Sequence, residues 1–364
     1  MVLVRVLPAV KTKTAAGIAL AVVVCAMLVC SNARAQSPST QWPPAASKQI
    51  PNPLGSPVSV KVAIFLANLT EIDELDERFT VTGYLFLTWK DPRLAYVPTS
   101  PSETRREVPL ENIWVPSINL VNQHEARESI SRLAFVDPEG TVRYQEEFVA
   151  HLSAELNLRK FPFDTENLHI LVQPLLADAE TNRVLLMKDP SETGVARARW
   201  TGLAQWDIVG VSMADSSFAY GNRAPMLPAL TFTLTVKRQY PYYLWKIFFP
   251  LILIVIVAYS AFFVEIKDHY TQITIALTTI LTVIAFSFSV ESSMPKVPYL
   301  TYIDCFFLAT YVLVFLSMIV LVVTHTMIGR KIDKRAIQLR RLWRYTYVIL
   351  FVIVNIAIVL NFFA

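Results

Sequence analysis

The chain has 364 residues, 54% of them hydrophobic and 17% charged, with a formal net charge of +4. That is more apolar than an ordinary soluble protein, and the excess is concentrated in a few stretches. Of the three cysteines, Cys25 and Cys30 lie in the first thirty residues and only Cys305 lies beyond, which excludes a disulfide framework for the mature chain.

Residues 1–35 read as a secretory signal peptide. Arg5, Lys11 and Lys13 form a positive start, Gly17 to Val29 an apolar core, and Ala33-Arg34-Ala35 a small-x-small cleavage site. The core is shorter than the roughly 20 residues a membrane span needs. Residues 36–57 hold Pro38, Pro43, Pro44, Pro51, Pro53 and Pro57 among Ser, Ala and Gln, and are expected to form an extended, disordered leader.

From residue 58 to 240 the pattern changes. Val58–Leu66, Phe79–Trp89, Gln145–Leu152, Leu168–Gln173 and Ala229–Lys237 alternate apolar and polar residues, and turn signals such as Asp137-Pro138-Glu139-Gly140 separate them. Short alternating runs with such punctuation predict an all-β, immunoglobulin-like sandwich.

Residues 241–364 predict a membrane domain of four helices, about 245–264, 273–290, 303–323 and 345–363, each close to the ~20 residues that cross a bilayer. One such stretch could be a buried core helix, but four in succession are read as spans. The acidic residues Glu71, Asp73, Glu74, Asp76 and Glu77 come early. Arg330, Lys331, Lys334, Arg335, Arg340, Arg341 and Arg344 come late, between the last two spans. A basic cluster placed there is better explained by the positive-inside rule than by nucleic acid. It sets the sandwich outside the cytoplasm and the link 324–344 inside.

The second span differs from the rest. Thr274, Thr278, Leu281, Ala285 and Phe288 recur at intervals of four, three, four and three, which keeps them on one helix face, and Glu291 follows at the outer end. Hydroxyls gain nothing from lipid. Such a face either packs on another helix or, in a ring of subunits, lines a pore closed by an apolar collar.

Several motifs then occur in a fixed order: Trp89-Lys90-Asp91, Ile113-Trp114-Val115-Pro116, Phe161-Pro162-Phe163-Asp164, Arg238 ahead of Tyr242-Tyr243-Leu244, and Glu291-Ser292-Ser293-Met294-Pro295-Lys296-Val297-Pro298-Tyr299. Together with the four spans they resemble the prokaryotic pentameric ligand-gated ion channels of the Cys-loop receptor superfamily, over nearly all of residue 58 onward. Ala154 and Leu168 stand where the loop-closing cysteines of animal receptors would be, as is usual for bacterial members.

The resemblance implies a sandwich followed by a four-helix membrane domain, assembled as a homopentamer around a central pore in a lipid bilayer. Pore-lining roles then fall to Thr274, Thr278, Leu281, Ala285, Phe288 and Glu291. Coupling between domains falls to Glu74, Glu77, Asp164, Arg238, Lys296, Pro298 and Tyr299. An agonist site between adjacent sandwiches would draw on Tyr84, Asn122, Gln173, Leu175, Phe218 and Tyr220. Val121 and Leu175 stand where aromatics are common in amine-binding members, and Tyr270 and Thr271 replace a glutamate at the inner mouth.

Glu74 and Glu77 match an acidic region of a proton-gated bacterial member, and His169 and His325 match its histidines, whereas Val283 replaces its pore-helix histidine. The stimulus is therefore left open between a small agonist and protons. The permeant ions are expected to be Na+ and K+, with Glu291 the main support. No cofactor, metal or nucleic acid is expected. No G-x-S-x-G, H-E-x-x-H or phosphate loop occurs to suggest an enzyme. Two other readings are a membrane-tethered binding module without conduction and a secondary transporter. The latter would carry ionisable groups at mid-membrane.

Overall fold

The computed structural model describes residues 42–51, 55–175, 183–196, 205–219, 226–292, 294 and 296–363. The alternating runs become strands: β1 (Val58–Asp73), β2 (Arg78–Lys90), β3 (Arg106–Glu107), β4 (Ile118–Leu120), β5 (Glu128–Val136), β6 (Thr141–Ser153), β7 (Thr165–Pro174), β8 (Val184–Lys188), β9 (Gly194–Val195), β10 (Trp206–Phe218) and β11 (Leu227–Arg238). One sheet runs β3-β5-β6-β2-β1-β8, with β9 added beside β1, and the other runs β10-β11-β7-β4.

The period-2 pattern explains why the two sheets face each other. Val60, Val62, Ile64 and Leu66 of β1 and Val81, Leu85 and Leu87 of β2 turn inward from one sheet. Leu168, Ile170 and Val172 of β7 and Phe232, Leu234 and Val236 of β11 meet them from the other. At the end of β2, Trp89 is buried with Trp114 edge-on at 5.8 Å. Two positions later Asp91 accepts from the backbone and side chain of Arg93, capping a short 3-10 turn. Gly140 (φ 80°) passes so close that an added Cβ would lie 2.5 Å from the Asp91 carbonyl oxygen, so that turn requires glycine.

The leader expected to be disordered departs from that reading where it is described. Ala45–Lys48 forms a 3-10 turn, and buried Ser47 donates to the Asn112 carbonyl at 2.9 Å and accepts the Trp114 N–H at its own carbonyl at 2.6 Å. Trp42 packs edge-on to Tyr96. A few apolar residues among the prolines find a partner surface that composition does not reveal. Residues 1–41, which include the expected signal peptide, lie outside the described residues.

Four helices long and apolar enough to cross a membrane follow: α1 (Pro241–Ser260), α2 (His269–Glu291), α3 (Tyr302–Gly329) and α4 (Asp333–Phe363). Ahead of Pro250, residues Leu244–Phe248 widen to π geometry, which accommodates a ring that would crowd a regular turn. Asp268 caps α2 through the Thr271 N–H, and Thr301 with Asp304 forms a reciprocal capping box at the start of α3.

The helices do not keep the apolar limits read from the sequence. α1 starts four residues earlier, α3 continues to Gly329 and α4 begins at Asp333, so the basic link shrinks to residues 330–332. Hydropathy marks apolar stretches, whereas backbone hydrogen bonding continues through charged residues. Arg340 and Arg344, expected in an inner loop, are helical and reach the end of α1. Both guanidinium groups donate to the Phe262 carbonyl at 2.6–3.0 Å, and Arg340 also donates to that of Val264. Cations at a helix carboxyl end satisfy its orphan carbonyls and complement its dipole.

Candidate functional site

α2 presents two distinct faces. Gln272, Ala276, Thr279, Val283 and Ser287 are buried against the other helices. On that face Thr279 donates to the Ile275 carbonyl at 2.7 Å and Ser287 to that of Ile284 at 2.9 Å, and Ser287 also accepts from the Tyr311 hydroxyl of α3. Thr274, Thr278, Leu281, Ala285, Phe288 and Glu291 lie on the other face, all exposed within the chain. Leu281 and Phe288 are 67% and 64% exposed within the single chain. Thr274 and Thr278 also border a cleft of about 390 Å³ between α1 and α2.

The junction between sandwich and membrane helices is built around Arg238, the last residue of β11. Its guanidinium is fully buried, with Nε and Nη2 donating to Asp164 at 2.8 and 3.0 Å and Nη1 donating to Glu74 at 2.5 Å and to the Tyr243 hydroxyl at 3.0 Å. Trp206 lies 4.1 Å and Phe161 4.7 Å from its central carbon, giving the cation two aromatic faces. Burial works against the charge, but the hydrogen bonds and charges of Asp164 and Glu74 hold the guanidinium protonated above its usual range. The aspartate at position 73 folds the β1–β2 turn by accepting the Leu75 and Asp76 N–H groups, which presents Glu74 to the arginine.

The tip of the loop before β7 enters the top of the helices. Phe163 is 6.4 Å from Phe248, 5.7 Å from Tyr302 and 5.7 Å from Phe363, uniting the sandwich with α1, α3 and α4. On the same loop the Leu158 N–H donates to the Tyr299 hydroxyl at 3.2 Å, and Arg159 lies over the Tyr299 ring. Lys296 and Pro298 of the same link are exposed, as is Glu77, so none of the three joins the arginine cluster within one chain. Glu77 (φ 51°) contributes instead through its carbonyl, which accepts the Ala154 N–H.

The residues expected at an agonist site occupy separate places within one chain. Tyr84 borders a cleft of about 460 Å³ with Phe65, Phe86, Arg105, Arg143 and Glu192, where Arg143 and Glu192 pair at 2.7 Å. Asn122 lies elsewhere, and its side chain is occupied. Its amide donates to the Ser153 and His169 carbonyls and accepts the Leu171 N–H, bracing β6 against β7.

Gln173 is fully buried between buried Val172 and Pro174, which removes it from any ligand surface. Leu175 is half exposed beside a second cleft with Arg127 and Glu146, Phe218 ends β10, and Tyr220 lies outside the described residues. Sequence reading missed Phe65 on β1, Arg143 on β6 and Arg105 just before β3, because neither a strand phenylalanine nor a lone arginine carries a motif. It also missed Glu166, although strand alternation places that residue with Leu168 and Ile170 on the inward face. Among the described residues no cluster of three or more His, Cys, Asp or Glu could hold a metal ion.

The comparisons with known proteins agree with this geometry. Residues 46–240 match the family model for the neurotransmitter-gated ion-channel ligand binding domain, and residues 247–346 that for the neurotransmitter-gated ion-channel transmembrane region. A proton-gated ion channel of Gloeobacter violaceus is 30% identical over 309 residues, covering 84% of each chain. The gamma-aminobutyric acid receptor subunit theta of Mus musculus is 26% identical over 289 residues, 78% of this chain and 44% of that one. A gamma-aminobutyric acid receptor subunit beta of Caenorhabditis elegans is 26% identical over 273 residues, 73% of this chain and 48% of its own length. A ligand-binding sandwich joined to four membrane-spanning helices, each matched to its own model, places this chain in the family of pentameric neurotransmitter-gated ion channels.

Proposed function

We propose that five copies of this chain form a cation-passing channel whose pore is lined by α2. The observation that carries this reading is the division of α2 into a packed face and an exposed stripe of Thr274, Thr278, Leu281, Ala285, Phe288 and Glu291. In a five-fold ring such a stripe gives hydroxyl oxygens at the inner end, a leucine collar, a wider section at Ala285 and carboxylates at the outer mouth. Arginines and lysines at 330–344 support an orientation with the sandwich on the periplasmic side of an inner membrane. The stimulus acts on the sandwich, either as a small agonist at the cleft beside Tyr84, completed by a neighbouring subunit, or as protons. The name of the Gloeobacter violaceus relative favours protons.

The test is planar-bilayer recording of purified pentamers under gradients of NaCl and KCl while pH and candidate agonists are varied. Reversal potentials are expected to follow the cation gradient. Glu291→Gln is expected to lower conductance most at low salt, because the carboxylate ring is screened beyond about 8 Å at physiological ionic strength. Reversal potentials that follow the anion gradient would remove the cation assignment.

A further inference from the structure

Glu166 is the second residue of β7, 2% exposed, and directed into the lower end of the sandwich. One carboxylate oxygen accepts the Asn157 N–H at 2.9 Å, whereas the other, Oε1, is buried with no hydrogen-bond partner. An anionic oxygen buried without a donor is costly, and the cost is relieved when that oxygen carries a proton and meets an acceptor.

The surrounding elements supply such an acceptor and little positive charge. The loop before β7 contributes Asp164, two residues along the chain from Glu166 and buried like it, whose negative charge and hydrogen-bonding capacity raise the Glu166 carboxyl. β11 contributes Arg238, already ion-paired to Asp164 and Glu74, the latter on the β1–β2 turn. α1 contributes the Tyr243 hydroxyl, itself bonded to Arg238, and β10 contributes the ring of Trp206. Opposite Glu166 across the ladder stands Val236. One buried arginine thus pairs with two of three carboxylates, and the third, Glu166, has no ion pair.

We propose that Glu166 and Asp164 form a buried proton-binding site in which a proton on Glu166 Oε1 is donated as a hydrogen bond to the Asp164 carboxylate. The proton comes from the solvent bathing the sandwich and returns there, and no other reactant is involved. Its link to gating rests on the channel reading above. Glu166 Oε2 holds Asn157, and the next residue, Leu158, holds Tyr299 of the α2–α3 link. The charge on Glu166 therefore acts on the loop that touches the α2–α3 link.

Burial raises the Glu166 carboxyl most and Asp164 raises it further, while the Asn157 N–H and Arg238 offset part of this, leaving it at about 7. A pKa raised above the ordinary carboxyl value of 4.5 means that falling pH favours this arrangement over one with Glu166 in water. The gain is complete below the ordinary carboxyl range and is lost as pH rises through 7.

Infrared difference spectra of full-length pentamers between pH 8 and pH 5 test the site, and bilayer currents over the same range test its consequence. A protonated-carboxyl C=O band titrating near pH 7 is expected, lost in Glu166→Gln and kept in Glu139→Gln, whose side chain is exposed. Current through Glu166→Gln channels is expected to lose most of its pH dependence, changing at least fivefold less than wild type.

If the band survives Glu166→Gln, or titrates only in the ordinary carboxyl range, the site does not exist. Should the band vanish while currents keep their full pH dependence, the link to gating is overturned. A titrating band in pentamers that pass no current under any stimulus would sink the channel reading and leave the proton site standing. If Glu166→Gln fails to assemble, Glu166→Asp serves instead. Its shorter carboxylate cannot reach both Asn157 and Asp164, so the midpoint should move by about one pH unit or more, upward if the Asn157 contact is lost and downward if the Asp164 contact is lost, and an unchanged midpoint would overturn the proposal.

Discussion

The backbone N–H of Leu158 donates to the hydroxyl of Tyr299 at 3.2 Å, joining residues 141 positions apart. Leu158 belongs to the sandwich and Tyr299 to the short link that leaves α2, so movement of one is felt by the other. Replacing Tyr299 by Phe keeps the ring beneath Arg159 and removes the acceptor. A neutral hydrogen bond contributes about 0.5–1.5 kcal/mol net, so half-activation is expected to move about 2- to 10-fold toward stronger stimulus. Dose–response curves in bilayers check this, and a curve superimposable on wild type would remove the bond from the coupling path.

Arg238 and Asp164 are both buried, so their separation is costly. Asp164→Ala strands a guanidinium away from water, a loss of about 3–5 kcal/mol for a truly buried pair. Lower thermal stability of the pentamer and loss of opening are expected, measured by size-exclusion after heating and by recording. Glu139→Ala is the proper control, because its carboxylate is 85% exposed and only 3.9 Å from Lys90. Glu103 would be a poor control. Hydrogen bonds from Thr99, then from Arg106, hold its carboxyl down to about 2, so its loss unties a local turn.

Leu281 is the candidate gate. Five leucines converging on an axis expel water, and a cation crossing such a collar must give up hydration. Leu281→Ser keeps the helix but makes the collar easier to wet, so channels are expected to open at lower stimulus or to leak without any. Well-formed Leu281→Ser pentamers with unchanged gating would place the gate elsewhere.

At the inner end, Arg340→Ala should loosen α4 from α1. Charge-assisted hydrogen bonds contribute about 1.5–3 kcal/mol each, and Arg340 is 5% exposed. A lower unfolding temperature of the pentamer is expected. Arg340→Lys should restore only part of it, because lysine lacks the planar fork that meets two carbonyls at once. Equal unfolding temperatures for all three proteins would show that the clamp adds nothing.

The alternating strands and the exposed stripe of α2 were legible in the sequence because each is a pattern among consecutive residues. Periods of two and of three to four dictate which side chains share a face, whatever the rest of the chain does. Motif order carried further, naming Glu74, Asp164, Arg238 and Tyr299 at the junction. Helix ends were less legible, since Asp333–Arg344 is charged yet helical.

The order of apolar and polar residues alone specifies a sandwich and four spans, because burial from water and insertion in lipid are decided by which apolar residues each segment carries and at what spacing. What only the tertiary structure decided is which polar groups find partners. Arg238 meets Glu74 across 164 positions and Asp164 across 74. Asn122 is occupied by carbonyls of β6 and β7, Gln173 is sealed off, and Glu166 is left beside Asp164 with one oxygen unanswered. Hydrogen bonds and ion pairs depend on distances of about 3 Å between remote residues, and no local period encodes them.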